Sequence, residues 1–230
     1  MVNLTHRSYT KELLDADDIP FEDIKRNMQE LNTINTLLGG HAITIDGVKV
    51  FTRENEKLHI CEIGCGGGDN LQAISKIKDT KFSFTGIDLK NECIDFAKEQ
   101  YALLHTNWIT SDYSKVDFEV KPDVIFSSLF CHHFTEEQLV QMLTWMKANS
   151  TKGFFINDLQ RNTLAFYCIK WFTKIFSKSY LVKNDAPLSV ARGFHKKEWE
   201  SIFAKAGIKN YTIQWKWAFR YLIVCKNNNF

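Results

Sequence analysis

The stretch LHICEIGCGGGDN, residues 58–70, decides how this chain folds. Leu58, Ile60, Cys61 and Ile63 make a short apolar run of the kind that forms a buried strand, and the glycines that follow end it abruptly. Gly64, Gly66 and Gly68 let the backbone turn sharply and approach a ligand closely, and a helix beginning near Asn70 would point free N–H groups at the same place. Working outward, FSFTGID (82–88) reads as the next strand and ends on Asp88, 20 residues after Gly68. A carboxylate there can accept two hydrogen bonds from a ribose diol.

The same rhythm continues. NWITSDY (107–113), DVIFSSL (123–129) and GFFINDL (153–159) are strand-like, and helical patterns near 70–78, 91–104 and 136–148 separate most of the runs. Such alternation builds right-handed βαβ units on a parallel sheet. After a helix at KKEWESIFAKAG (196–207), YTIQWKW (211–217) and RYLIVCK (220–226) stand too close for a crossover helix, so they pair antiparallel. The expectation is an α/β, Rossmann-like, doubly wound sheet of seven strands with an antiparallel C-terminal hairpin.

Two segments fall outside that rhythm. PFEDIKRNMQELNTINTLLGG (20–40) carries Phe21, Ile24, Met28, Leu31, Ile34 and Leu38 on one side of a helix, and Gly39 and Gly40 stop it. Residues 41–57 fit either a hairpin around Asp46-Gly47 or a short helix, and the pattern leaves both open. RNTLAFYCIKWFTKIFSKSYLV (161–182) repeats Leu164, Cys168, Trp171 and Ile175 at helical spacing, with Lys170, Lys174 and Lys178 beside them. The chain thus divides into an N-terminal helical cap, 1–57, and a core, 58–230, within one structural domain. A lid helix is inserted at about 160–184.

Composition bounds the function. The 230 residues suit one α/β domain, and 44% hydrophobic content predicts a folded core. A net charge of +2 without a dense Lys/Arg tract disfavours a nucleic-acid partner. The polar N-terminus lacks the apolar stretch of a signal peptide, and no run nears the ~20 apolar residues of a spanning helix. A cytoplasmic protein without stable membrane insertion is expected; the sequence says nothing of its oligomeric state. Cys61, Cys65, Cys93, Cys131, Cys168 and Cys225 form no CxxC pair and read as small buried apolar residues.

A nicotinamide-dependent oxidoreductase shares a glycine loop and an acidic strand end. Its GxGxxG fingerprint, however, needs glycine where this chain has Asp69, and its first strand usually opens the domain. With Glu62 two residues before Gly64, the pattern ExGxGxG resembles motif I of class I S-adenosylmethionine-dependent methyltransferases. The resemblance extends from Leu58 to Lys226. It implies S-adenosylmethionine as cofactor, held by Glu62, Gly64, Gly66, Gly68, Asp88 and Leu89. It also implies that Asp112 and Tyr113 lie near the adenine and that Ser127 to Leu129 lie beside the methionine moiety. QELNTINTLLGG (29–40), SSLFCHHF (127–134), INDLQRNTLAFY (156–167), DAPLSVARGF (185–194) and WAFRYLIV (217–224) resemble the methyltransferases encoded beside type III polyketide synthases. That likeness implies a small or lipid-like acceptor, an aromatic polyketide or quinol methylated at a phenolic oxygen.

Such an oxygen needs a base, because a phenol has a pKa of ~10. His132 and His133 follow the fourth strand, whose C-terminal end faces the cofactor crevice in this kind of sheet, and His133 is the favoured one. Packing is the alternative for either. Asn157 and Asp158 end the fifth strand, but the serines after the fourth stand where a metal-dependent catechol methyltransferase needs an aspartate, so no metal is expected. Phe166, Tyr167, Trp171 and Phe172 would line the lid over a greasy acceptor, and Arg192 would pair an acidic acceptor group or a surface carboxylate. A non-catalytic S-adenosylmethionine-binding subunit is the remaining alternative, and the intact loop and histidine pair argue against it.

Overall fold

The computed structural model describes residues 3–16 and 18–227. Five parallel strands form first: β1 (Lys57–Ile63), β2 (Lys81–Asp88), β3 (Thr106–Thr110), β4 (Val124–Ser128) and β5 (Gly153–Leu159). β6 (Tyr211–Lys216) and β7 (Arg220–Lys226) complete one seven-stranded sheet in the order β3-β2-β1-β4-β5-β7-β6, with β7 antiparallel to both β5 and β6. The sheet and its C-terminal hairpin are those expected from the sequence. Strand order reverses between β1 and β4, and ligands of open α/β sheets bind at the carboxyl ends beside such a reversal.

Both faces of the sheet are covered at its centre, which explains why β1, β4 and β5 read as nearly continuous apolar runs while the edge strands β3 and β6 do not. On one face Cys61, Ile63, Ile125, Phe154, Ile156 and Ile223 pack against α5 (Glu136–Asn149) and α8 (Lys196–Lys205) through Leu139, Met142, Trp199 and Phe203. On the other, Ile60, Val124, Phe126, Phe155 and Leu222 meet α2 (Gly40–Lys49) and α3 (Asp69–Ile74). The stretch left open in the sequence is therefore a helix. Ile43, Thr44, Gly47 and Val48 are its buried side, a helical and not an alternating spacing. A Cβ at Gly47 would stand 2.5 Å from the Phe155 ring, so only glycine lets α2 lie this close to β5.

α1 (Phe21–Leu37) lies beside α4 (Asn91–Gln100) and buries Ile24, Asn27, Met28 and Asn35. Two asparagines on the buried stripe mark a helix that faces a cavity and not only a core. The inserted segment differs from expectation: it is two helices, α6 (Thr163–Phe176) and α7 (Tyr180–Arg192), packed together. The break falls at Ser177–Ser179 because Ser179 caps α7 by accepting from the Val182 N–H, as Asn162 caps α6. α7 buttresses the N-terminal segment, where both carboxylate oxygens of Asp185 accept from the amides of Leu13 and Leu14. Five of the cysteines are buried as expected, but Cys168 is exposed on α6. Among the described residues no helix is long and apolar enough to cross a membrane.

Candidate active site

A cavity of about 600 Å³ opens at the carboxyl ends of β1, β2 and β4. Its floor is the loop 64–67. Gly64 has φ +66°, and a Cβ there would lie 2.3 Å from the Phe130 ring, so this position admits no side chain. Gly66, by contrast, has open space where its Cβ would be, which leaves its backbone bare to the cavity. Gly68 takes no part in the lining: it closes against Trp108 and starts α3.

Asp88 stands at the end of β2 on the cavity wall, its Oδ2 accepting from the Gly66 N–H (2.9 Å) and Oδ1 from the Lys90 N–H (2.9 Å). Each oxygen keeps a second lone pair for a ligand hydroxyl. Burial pushes this carboxyl up, and the amides of Lys90, Gly66 and Leu89 pull it back. Leu89, Asp112 and Tyr113 also line the cavity. Asp112 spends Oδ1 on the amide and hydroxyl of Ser114, capping a 3-10 turn at Tyr113–Lys115. The Tyr113 ring is wedged between Phe130, Phe134 and Trp145, and burial with the nearby Asp112 carries its hydroxyl to about 12.

Two residues expected on the cofactor lie one layer behind it. Glu62 is fully buried; its Oε1 accepts from Asn70 Nδ2 (2.8 Å) and its Oε2 has no partner among the described residues. Burial first, then Asp69 and Asp88, hold that carboxyl well above the usual range against the Asn70 bond. The Ser127 side chain points into the core toward Cys131 Sγ (3.3 Å), and Ser128 lines the cavity in its place. Successive side chains of a strand face opposite ways, so a one-residue difference decides the matter.

The roof comes from the N-terminal segment. Leu14, Ile24, Met28 and Leu31 cover the cavity, with Asn27 and Asn35 among them, and the buried Asn27 Nδ2 has no partner among the described residues. The α6 aromatics do not reach it. Phe166 packs with Ala165, Val190 and Ala191, Tyr167 stands edge-on to Phe166, Trp171 is exposed under Lys174, and Phe172 lies against Phe176. The cavity is thus lined on this side by Leu14, Asp15 and α1, and not by the segment 160–184 expected to cover it.

His132 and His133 lie in a 3-10 turn, Cys131–His133, after β4. His133 lines the cavity; His132 is buried behind it. His132 Nδ1 is 2.8 Å from Asp158 Oδ1 at the end of β5, and His133 Nδ1 is 3.2 Å from Asp15 Oδ1. Burial alone would lower the His132 pKa, but Asp158 and Glu12 outweigh it and raise it to about 9. Glu12 and Asp158 are lowered in turn: burial would raise both, and the histidines overcome it. Arg192 pairs with the exposed carboxylate of Asp15, one of the two partners the sequence allowed, yet its own guanidinium is not in open solvent. It is buried, donating to the carbonyls of His132, His133 and Thr10 and lying 3.4 Å from Asp15, and so braces the histidine turn against the N-terminal segment. Sequence reasoning missed Glu12, Asp15, Asn27 and Asn35. Their only sequence signal is polar residues on or before an amphipathic helix.

Comparison with known proteins bears on the chemistry of this cavity. Residues 60–153 match the family model of a methyltransferase domain. The match covers the glycine loop, Asp88, Asp112 and the histidine turn. It bears out the reading of an S-adenosylmethionine-dependent methyltransferase, with S-adenosylmethionine as cofactor. No curated protein matches the sequence.

Among solved structures, similar folds include the plantazolicin methyltransferase BpumL in complex with S-adenosylhomocysteine and a monoazolic desmethyl analogue (17% identity, TM-score 0.65, 90% of each chain covered). The magnesium protoporphyrin IX methyltransferase of Synechocystis gives 15% identity and TM-score 0.53, over 91% of this chain and 87% of that one. A candidate O-methyltransferase of Nostoc punctiforme gives 15% identity and TM-score 0.61 over 86% of this chain. The present chain spans 59% of that protein's length. At these identities the likeness shows the fold, not the acceptor.

Proposed function

We propose that the protein methylates a hydroxyl oxygen of a small or lipid-like aromatic acceptor, a phenol or quinol, with His132 and His133 at the acceptor end. The observation that carries this reading is that His133 and the glycine loop line one cavity, with the rings of Tyr113, Phe130 and Phe134 between them. Aromatic walls with a single imidazole suit a flat, apolar acceptor with an acidic hydroxyl. The likeness to methyltransferases encoded beside type III polyketide synthases supports the same acceptor class, and BpumL and the Synechocystis enzyme act on small molecules by name.

The cofactor assignments follow the same wall. The ribose diol is read onto Asp88, the methionine end onto Gly64 and Gly66, and the adenine between Leu89 and Asp112. S-adenosylmethionine held there would supply an electrophilic methyl group, which the acceptor oxygen would take as the carbon–sulfur bond gave its electron pair back to sulfur. In-line placement supplies much of the rate, and His133, steadied by Asp15, takes the hydroxyl proton. His132, held by Asp158, fixes the turn on which His133 sits.

The test is incubation of the purified chain alone with methyl-labelled S-adenosylmethionine and a panel of phenols and quinols, read by mass spectrometry. Label in an O-methyl ether is expected. Label only in amine or carbon acceptors would overturn the oxygen assignment, and turnover that appears only with a second subunit would favour a partner role.

A further inference from the structure

Glu12 lies far in the chain from the adjacent His132 and His133, yet one ligand atom of each lies within 4.8 Å of the others. His132 Nε2 is 3.6 Å from Glu12 Oε1, and His133 Nε2 is 3.8 Å from Glu12 Oε2. Both gaps exceed the reach of a good N–H···O bond, about 2.7–3.2 Å. Both are shorter than about 4.2 Å, the widest separation of two ligand atoms that each bond one metal ion at about 2.1 Å.

The far side of each imidazole is already committed, His132 Nδ1 to Asp158 and His133 Nδ1 to Asp15. A carboxylate on Nδ1 keeps the proton there and turns the Nε2 lone pair outward, which is how metal-binding histidines are commonly oriented. Glu12 is steadied too, its Oε1 accepting from the Ser189 hydroxyl (2.8 Å).

We propose that Glu12, His132 and His133 form a binding site for one divalent transition-metal ion of the iron-to-zinc series at the edge of the active-site cavity. Two imidazoles and one carboxylate suit such ions, whereas magnesium and calcium favour oxygen donors throughout. Three protein ligands leave coordination positions free, and one of the three, His133, lines the cavity, so an acceptor there stands next to the site. Charge permits the ion. Glu12, Asp15 and Asp158 place three carboxylates around it, against the guanidinium groups of Arg192 and Arg7. With neutral imidazoles the cluster therefore keeps a negative excess, and the competitor for the site is a proton on His132.

Ion binding stands independently of the methyl-transfer reading, but its consequence rests on that reading. An acceptor hydroxyl at a free position would be held as its anion, its proton passing to solvent. His133 is then a ligand, and its role as base belongs to the ion-free protein.

The experiment is titration of chelator-stripped full-length protein with Co²⁺, followed by visible absorption and calorimetry, with S-adenosylhomocysteine affinity measured on every sample. One Co²⁺ per chain is expected. His133→Ala and Glu12→Gln should each weaken it by about 100-fold or more, and Asp158→Asn by about 10–100-fold, while S-adenosylhomocysteine binding persists and attests the fold. If His132→Ala does not fold, the half-buried His133 carries the test. Wild-type protein that binds S-adenosylhomocysteine but takes up neither Co²⁺ nor Zn²⁺ would overturn the site, as would uptake indifferent to these substitutions. The two readings part cleanly. Ion uptake without methylation of any phenol removes only the acceptor assignment, and full turnover in stripped protein that binds no Co²⁺ removes only the ion.

Discussion

The two ends of the cavity are built in opposite ways. The cofactor end comes from neighbouring strand ends: Gly64 and Gly66 close β1, Asp88 closes β2, and one hydrogen bond from Gly66 to Asp88 ties them together. The acceptor end is assembled from distant parts, with Glu12 and Asp15 from the N-terminal segment, the histidines after β4 and Asp158 from β5, and Arg192 from α7 bracing the histidine turn and Asp15. Binding at the first end relies on backbone geometry that a short motif encodes. Chemistry at the second relies on titratable groups that only the tertiary fold brings within 4 Å.

If the two ends act separately, substitutions should divide turnover from cofactor affinity. The largest effect is expected at the acceptor end: His133→Ala should lower turnover by ~100-fold or more, as loss of a general base or of a metal ligand would. Its S-adenosylhomocysteine dissociation constant should stay near that of wild type. Wild-type turnover in this variant would remove the histidine from the chemistry.

Next, Asp88→Ala should raise the cofactor dissociation constant by roughly 10- to 100-fold, the ~1.5 to 3 kcal/mol of hydrogen bonds to a charged group. Turnover at saturating cofactor should change little, because a ribose contact is made equally in ground and transition states. Calorimetry and steady-state kinetics on the same preparation check both halves, and an unchanged constant would sink the assignment.

A smaller effect is expected beneath the loop. Glu62 has a folded-state pKa held above its unfolded value, so above about pH 4.3 the unfolded chain releases a proton that the folded chain keeps. Stability from this group is therefore complete below that pH and declines as pH rises toward the folded value. Glu62→Gln keeps an acceptor for Asn70 and removes the slope. Its melting temperature should exceed wild type at pH 7.5, by about 2–4 °C per kcal/mol, and converge with it near pH 4. A variant less stable at every pH would show that Glu62 is needed as a carboxylate. The smallest effect is expected on α6. Trp171→Ala should leave the acceptor Michaelis constant unchanged, because Leu14 and α1 line the cavity where a lid would lie; a marked increase would restore the lid to the α6 helix.

Much of the fold was legible because β1, β4 and β5 carry nearly continuous buried runs that end at the same edge of the sheet. Asp88 was legible because its distance from the glycines is fixed by one helix and one strand. Ser127 was misjudged for Ser128 because a strand end is easier to place than its pleat. The insertion read as one helix because its apolar spacing runs on through Phe176, and the capping role of Ser179 becomes evident only once α7 is seen to pack on the N-terminal segment. Glu12 and Asp15 carried no period at all. Their meaning is set by Arg192 and Asp185, whose positions in sequence give no hint of the contact.

The central claim, that the glycine loop and Asp88 bind S-adenosylmethionine, is tested most directly by thermal unfolding of the wild-type chain with S-adenosylhomocysteine and, separately, with NADH. A ligand that binds only the folded state adds about 2.7 kcal/mol at a hundred times its dissociation constant, enough to move the melting point by several degrees. A clear rise with S-adenosylhomocysteine and none with NADH is the predicted result; a rise with NADH alone would contradict the account.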